Sequence, residues 1–266
     1  MLKFFRKIRG DLLSKGKSWK YLSYAIGEIV LVVIGILIAL QINNWNEARK
    51  NKLREHSILI QLEEDYGSNL QQLDEKIALR NRIINSGLIL LGYMDAPENV
   101  VIDSLIYHIS NIVFDPTFDP IQNDLINSGN NRIISNERLR RLLSNWTSDV
   151  VAVQEQERIN QTHVHEFMFP VFNELGITRH VLGELWHSMG TPLFLLDKDA
   201  ENPDLPLRQA FSKIEKSRIL SHVELEGIVS SAISYNTICN LQSESLRNRI
   251  VEILTLLRKE LKLQES

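Results

Sequence analysis

Cysteine is nearly absent: Cys239 is the only one in 266 residues. No intramolecular disulfide can form, so an oxidising compartment is permitted but not exploited. That suits a bacterial envelope better than a cysteine-rich eukaryotic ectodomain. Also missing are a Gly-rich phosphate loop, a G-x-S-x-G nucleophile elbow and a Cys/His nucleophile pattern, the usual sequence marks of phosphoryl and acyl transfer. A positive surplus is lacking as well. The chain carries −3, and with the first 44 residues (+5) set aside the remainder carries −8, which discourages nucleic acid binding.

What the chain does have is a long apolar run from Tyr24 to Ile42, broken only by Glu28 and Gln41. Nineteen residues at about 1.5 Å rise make roughly 28 Å of helix, matching a hydrocarbon core of about 30 Å. A buried helix of a soluble protein seldom runs this far without a polar face. A cleaved signal peptide is disfavoured by the length of the run and by Leu40-Gln41-Ile42-Asn43, which is not a small-x-small cleavage site. Tyr21 and Tyr24 at one end and Trp45 at the other are placed as interfacial anchors, with Asn43 and Asn44 marking the exit into water. We therefore read an uncleaved signal anchor.

Seven bases (Lys3, Arg6, Lys7, Arg9, Lys15, Lys17 and Lys20) precede the run against the single acid Asp11. The sixteen residues from Trp45 to Ile60 hold four bases and two acids. The positive-inside rule puts the N-terminus in the cytoplasm and the larger part in the periplasm of a bacterial inner membrane. The expected organisation is a basic tail over 1–23, a transmembrane helix over 24–44 and an extracytoplasmic helical domain over 45–266. About 23 residues on the cytoplasmic side are too few for an enzymatic output domain, so a signal would need an envelope protein partner. Within the span, Gly35 and Ala39 form a small-xxx-small pair, with Gly27 and Glu28 near the same face; this is a candidate interface for self-association.

Beyond Trp45 no Gly or Pro intervenes before Gly67, and Leu59, Leu62, Tyr66, Leu70, Leu73, Ile77, Ile84, Leu88 and Leu91 step by threes and fours, with Arg80 as a gap. A long amphipathic helix of bundle or coiled-coil character is expected to end near Gly92 and Asp95-Ala96-Pro97. Val100–Val113 reads as a shorter helix, although its β-branched opening also permits a strand. Pro116 and Pro120 then impose a loop. Asp115, Asp119 and Asp124 fit no EF-hand spacing.

A short helix is expected from Ile121 to Ser128, closed by Gly129. Another starts at Asn136 and is ended or kinked by Pro170. Val171–His187 reads as a helical continuation despite Gly176 and Gly183, and Gly190–Pro206 as an acidic loop. A last helix, Ser221–Leu263, carries Val223, Ile228, Ile233, Ile238, Leu241, Leu246, Ile250, Ile253, Leu257 and Leu261, and can pair antiparallel with the first. The sequence thus specifies an all-α chain: an N-terminal transmembrane helix followed by an antiparallel helical bundle with two long helices.

The segment Tyr21-Leu-Ser-Tyr-Ala-Ile-Gly-Glu-Ile-Val-Leu-Val-Val-Ile-Gly-Ile-Leu-Ile-Ala-Leu-Gln-Ile-Asn-Asn-Trp-Asn-Glu47, preceded by Phe4-Phe-Arg-Lys-Ile-Arg9, resembles an uncharacterised family of single-span proteins of Bacteroidetes-type bacteria. Asp124–Asn136 with Leu139-Arg-Arg-Leu142 is similar to that family's second recurrent segment. The resemblance implies membrane location and architecture, and no catalytic residue.

For chemistry, the strongest pattern is His163-x-His165-Glu166. Two residues apart on a helix point about 200° apart, unlike the i, i+4 histidines of H-E-x-x-H. An envelope hydrolase with a metal site around His163 and His165 would have to recruit Glu166, His180, His187 or acids of the 190–206 loop. The favoured reading needs no cofactor and no metal: an interaction, scaffold or sensory module whose partners are the lipid bilayer, a second copy and an envelope protein. Cys239 reads as a small core residue.

Overall fold

The computed structural model describes residues 18–122, 130–188, 207 and 213–265. The described residues are helical or irregular, with no strand among them. They fall into two compact units, 1–58 and 59–266.

In the first unit the described residues belong to helix α1, Ser18–Asp95, which continues into the second unit. This helix contains a segment long and apolar enough to cross a membrane, none of it buried inside the protein. Eleven large aliphatic side chains from Ile29 to Ile42 are each between 47 % and 70 % exposed. In water such a surface is unfavourable, because none of the described residues covers it.

The second unit covers its own apolar surface. After α1 come α2 (Ile102–Ile112), a 3₁₀ turn (Asn130–Ile133), α3 (Glu137–Thr162), a π turn (His163–Met168), α4 (Phe169–Leu175), α5 (Thr178–Ser188), α6 (Lys216–Leu220) and α7 (Val223–Glu265). The α1 terminus falls at Asp95, two residues before Pro97, and α2 is helical rather than extended. Asn136 caps α3, its Oδ1 accepting from Leu139 N at 2.9 Å.

Three helices share one seam rule. In α7 the buried positions Leu225, Val229, Ala232, Asn236, Cys239, Ser243, Leu246, Ile250, Ile253 and Leu257 alternate steps of four and three, and none is more than 2 % exposed. Leu139, Leu143, Trp146, Val150, Val153, Glu157 and Asn160 do the same in α3, and Leu59, Leu62, Tyr66, Asn69 and Leu73 in α1. Side-chain contacts fix the directions. Glu63, Asp74 and Asn81 of α1 meet Arg258, Arg247 and Asn240 of α7, so these helices run antiparallel. Tyr66 meets Trp146 edge-on at 4.8 Å and Arg80 meets Glu157, so α1 and α3 run parallel. Close approach of α1 to α7 depends on Gly87, where an added Cβ would lie 2.6 Å from Ile233 Cγ1.

Several expectations need correcting. The stripe on α1 does not skip Arg80: that side chain is 1 % exposed, whereas Leu88 is 54 % exposed and Ile83 and Leu90 take the buried positions. On α7, Val223, Ile238 and Leu241 point outward at 81 %, 43 % and 66 % exposure. The helix from Val171 does not run on to His187. Gly176 adopts φ 70°, ψ 23° and closes α4, a left-handed conformation that glycine takes without strain, and α5 restarts at Thr178. The expected helix over 121–128 and the acidic loop over 190–206 lie outside the described residues, apart from Ile121 and Gln122, which are not helical.

The loop of Pro116 and Pro120 is irregular, as two prolines four apart require, yet Phe114 and Phe118 are buried. Its backbone finds partners on helix side chains. Asn69 accepts from Ile121 N at 2.7 Å and donates to Ile121 O at 3.2 Å, while Gln72 accepts from Asp119 N at 2.9 Å and donates to Asp119 O at 3.0 Å. Phe118 N donates to Glu157 Oε2 at 2.9 Å and Phe118 O accepts from Gln154 at 3.0 Å. Proline has no N–H, so Pro116 and Pro120 demand no donor partner here.

Candidate functional site

Pro170 shapes the one break in the long run of helix from Glu137 to Leu175. Its ring cannot donate and would crowd the carbonyl of Glu166, and the chain responds by widening into the π turn, where Phe169 N donates to Val164 O five residues back. The extra residue lets two successive side chains, His163 and Val164, both turn inward at 7 % and 1 % exposure. Widened turns of this kind recur at functional sites.

Beside the turn a groove runs between α3 and α7. One part, of about 540 Å³, is lined by His163, Glu166, Phe167, Pro170, Val171, Glu224, Gly227, Ile228, Ser231 and Tyr235. An adjoining part of about 270 Å³ adds Arg158, Ile159 and Thr162. His163 forms its floor: Nε2 lies 3.2 Å from Ile228 O, which requires the proton on that nitrogen. Tyr235 stands edge-on to the imidazole at 5.2 Å and Phe167 stacks at 6.0 Å. Burial pushes the His163 pKa below its ordinary value, opposed by the bond to Ile228, so the ring is neutral at pH 7. Aromatic faces with a few charged groups at the edges suit binding better than bond-making.

A second polar feature lies in the core. Arg80 of α1, Glu157 of α3 and Ser243 of α7 occupy the three seams. Arg80 donates to Ser243 Oγ at 2.8 Å, to Pro116 O at 3.1 Å and to Glu157. Arg80 and Glu157 side chains are 1 % and 2 % exposed. Burial raises the Glu157 pKa, with Arg80 and the Phe118 amide pulling it back. One layer away, Asn236 donates to Asn160 at 3.1 Å. Such layers cost desolvation and fix which residues face one another.

The structure separates the two histidines that a metal site would need. His163 faces inward to Ile228, and His165 faces outward to Asp115 Oδ2 at 3.2 Å. A π turn advances each residue slightly less than an α turn, which still leaves residues two apart on opposite sides. Among the described residues no group of three or more His, Cys, Asp or Glu is placed to hold a metal ion. Asp115 is thus a partner of His165, and Asp119 is engaged through its backbone by Gln72. Cys239 is 1 % exposed, and burial pushes its thiol pKa up.

In α1, Gly27 and Gly35 have nothing within 4 Å of where a Cβ would stand, and Ala39 is exposed. Glu28 is half-buried and Trp45 is 67 % exposed. The side chains of Tyr21 and Tyr24 lie outside the described residues. Sequence reasoning missed the groove and the polar layer. The signal available for the layer was the unbroken three-four spacing that admits Arg80, Glu157, Asn236 and Ser243 once polar residues are allowed to count.

A family described as a family of unknown function (DUF6090) matches residues 28–88, which takes in most of the apolar segment and most of α1 beyond it. No curated protein and no solved structure matches the chain.

Proposed function

We propose that this chain is a single-span protein of a bacterial inner membrane, its N-terminus cytoplasmic, whose α-helical bundle in the periplasm acts as an interaction or sensory module. The observation that carries this reading is the uncovered surface of Ile29 to Ile42. Eleven large aliphatic side chains within fourteen residues lack cover from the described residues, whereas exposed leucines and isoleucines elsewhere, such as Leu88 and Leu241, stand singly or in short groups. Lipid removes that cost, and α-helix satisfies every backbone group inside the bilayer. Resemblance to single-span proteins of Bacteroidetes-type bacteria and the basic excess ahead of the span support compartment and orientation.

The groove between α3 and α7 supports a recognition role, since spaces between helices of a bundle are common places for small molecules or peptides. Tyr21, Tyr24 and Trp45 serve as headgroup anchors, and Gly27, Glu28, Gly35 and Ala39 form the membrane-helix interface. The test is carbonate extraction of native membranes together with a periplasm-active reporter fused after Ser266. Retention in the pellet with an active reporter is expected. A soluble, correctly folded full-length chain would overturn the anchor, and an expressed but inactive reporter would reverse the orientation.

A further inference from the structure

Helix α7 carries a second seam, on the side away from the core. From Gly227 to Ser243 seventeen consecutive residues hold no charge, although much of the helix faces water. Within and just beyond that stretch Ser234, Ile238, Leu241, Ser245 and Asn248 repeat the four-three alternation of the core seam and are all exposed, Leu241 at 66 % and Ile238 at 43 %. Ser245 Oγ donates back to Leu241 O at 3.1 Å, which removes a hydroxyl that would otherwise need a partner.

The charges beside this seam lie on its flanks: Arg247 pairs with Asp74 toward α1, Arg249 pairs with Asp149 toward α3, and the exposed Glu244 stands on the Arg247 side. From this arrangement we infer that the outer seam of α7 is a docking surface for α7 of a second copy of this chain, in parallel. The inference rests on the membrane-anchored reading, because copies held in one bilayer by the same end point the same way.

Three features select a second copy. Across a two-fold axis each residue of a parallel pair meets its own equivalent, so a charged seam would set like against like; this seam is uncharged. Ile238 and Leu241 provide apolar knobs at the three-four spacing that helix pairing uses. Asn248, in the same seam, would meet Asn248 of the second copy, and an amide facing its own equivalent is a device that fixes two-stranded parallel register.

The area sets the regime. Fourteen steps of about 1.5 Å give roughly 21 Å of seam, and about 10 Å of width gives on the order of 400 Å² summed over both copies, well below the ~1,200 Å² of a stable interface. The seam alone is therefore weak. Anchored neighbours meet at a raised effective concentration, which is what lets a weak contact be occupied.

The test uses the full-length chain in native membranes with Cys239→Ala as background. Single cysteines replace Ile238, Leu241 or Asn248 on the seam and Gln71 or Glu155 as exposed controls, followed by mild oxidation and non-reducing electrophoresis. A dimer band at the seam positions and none at the controls is expected. Leu241→Arg should abolish the Asn248→Cys dimer without lowering the unfolding temperature, and co-expression of Leu241→Arg with Leu241→Glu chains should restore it. Equal cross-linking at seam and control positions, monomer only, or an adduct of another mass confined to the seam would each overturn the inference. Absence of the chain from the membrane fraction would instead refute the anchored reading.

Discussion

Removing Glu157 from the core should cost far more than removing any surface acid. In Glu157→Ala the guanidinium of Arg80, at 1 % exposure, keeps Ser243 Oγ and Pro116 O but loses the carboxylate it pairs with, and the Phe118 amide loses its acceptor. Breaking a buried pair from one side costs about 3–5 kcal/mol. For a unit of about 200 residues each kcal/mol moves the midpoint by roughly 2–4 °C, so the loss should be about 6–20 °C. Replacing both partners, as Arg80→Met with Glu157→Leu, removes the desolvation along with the attraction. What stays behind is neutral: the Phe118 amide, Pro116 O and Ser243 Oγ lose their partners, at about 1–3 kcal/mol each. The double variant should therefore fall well short of the sum of the Glu157→Ala and Arg80→Met losses, each of which leaves one buried charge without its partner. Circular dichroism of the detergent-solubilised chain reads all three, with Glu252→Ala, which removes an exposed pair with Arg138, as the control. If Glu157→Ala behaves like that control, or the double variant falls as far as the two single losses together, the pair is not an obligatory unit of the core and the reasoning fails.

Acidification offers a second check. Burial depresses the pKa of His163 and of His108, the latter bonded to Ser86 Oγ at 3.2 Å, so the unfolded chain takes up protons first as pH falls through 6.5. Melting temperature should drop on going from pH 7.5 toward 5.5, and the drop should shrink when His163 and His108 are both changed to Gln; an unchanged slope would contradict it. Gly87→Ala should destabilise by about 1–3 kcal/mol through the collision with Ile233, despite the helix propensity it gains, and Ile233→Ala in the same chain should recover part of that loss in thermal melts. Asn136→Ala should lower stability by about 1–2 kcal/mol, since it removes both the cap on Leu139 N and the bond to Glu260 at 2.8 Å; no change would mean the α3 terminus is held by other contacts.

Element type was readable from the sequence wherever one rule acted alone. Pro97 stops α1, Asn136 opens α3, and the paired prolines keep 114–122 out of helix. Reading failed where polarity and position disagreed. Arg80, Glu157, Asn160, Asn236 and Ser243 look like breaks in an apolar stripe, yet they complete the seams because each has a partner across the core. Conversely, Leu88 and Leu241 look like core residues and are exposed. At Gly176 the sequence reads as a helical continuation, whereas the left-handed Gly176 closes α4 and the chain turns into α5. The groove depends on how α3 and α7 splay beside the π turn, a tertiary outcome that no local pattern encodes. The apolar segment was the opposite case, since its length and composition set it apart before any packing was known.

The segment around Phe118 behaves as though it were a strand whose neighbours are amide side chains. Asn69, Gln72 and Gln154 meet its peptide groups as a sheet partner would, and each bond needs one given residue of the loop in one given place. A single inserted or deleted residue between Phe114 and Ile121 would shift every one of these pairings at once and strand the Arg80 guanidinium without Pro116 O. Length in this connection is therefore as constrained as length in a helix. Amide protons of Phe118, Asp119 and Ile121 should exchange with solvent as slowly as those of the helices around them.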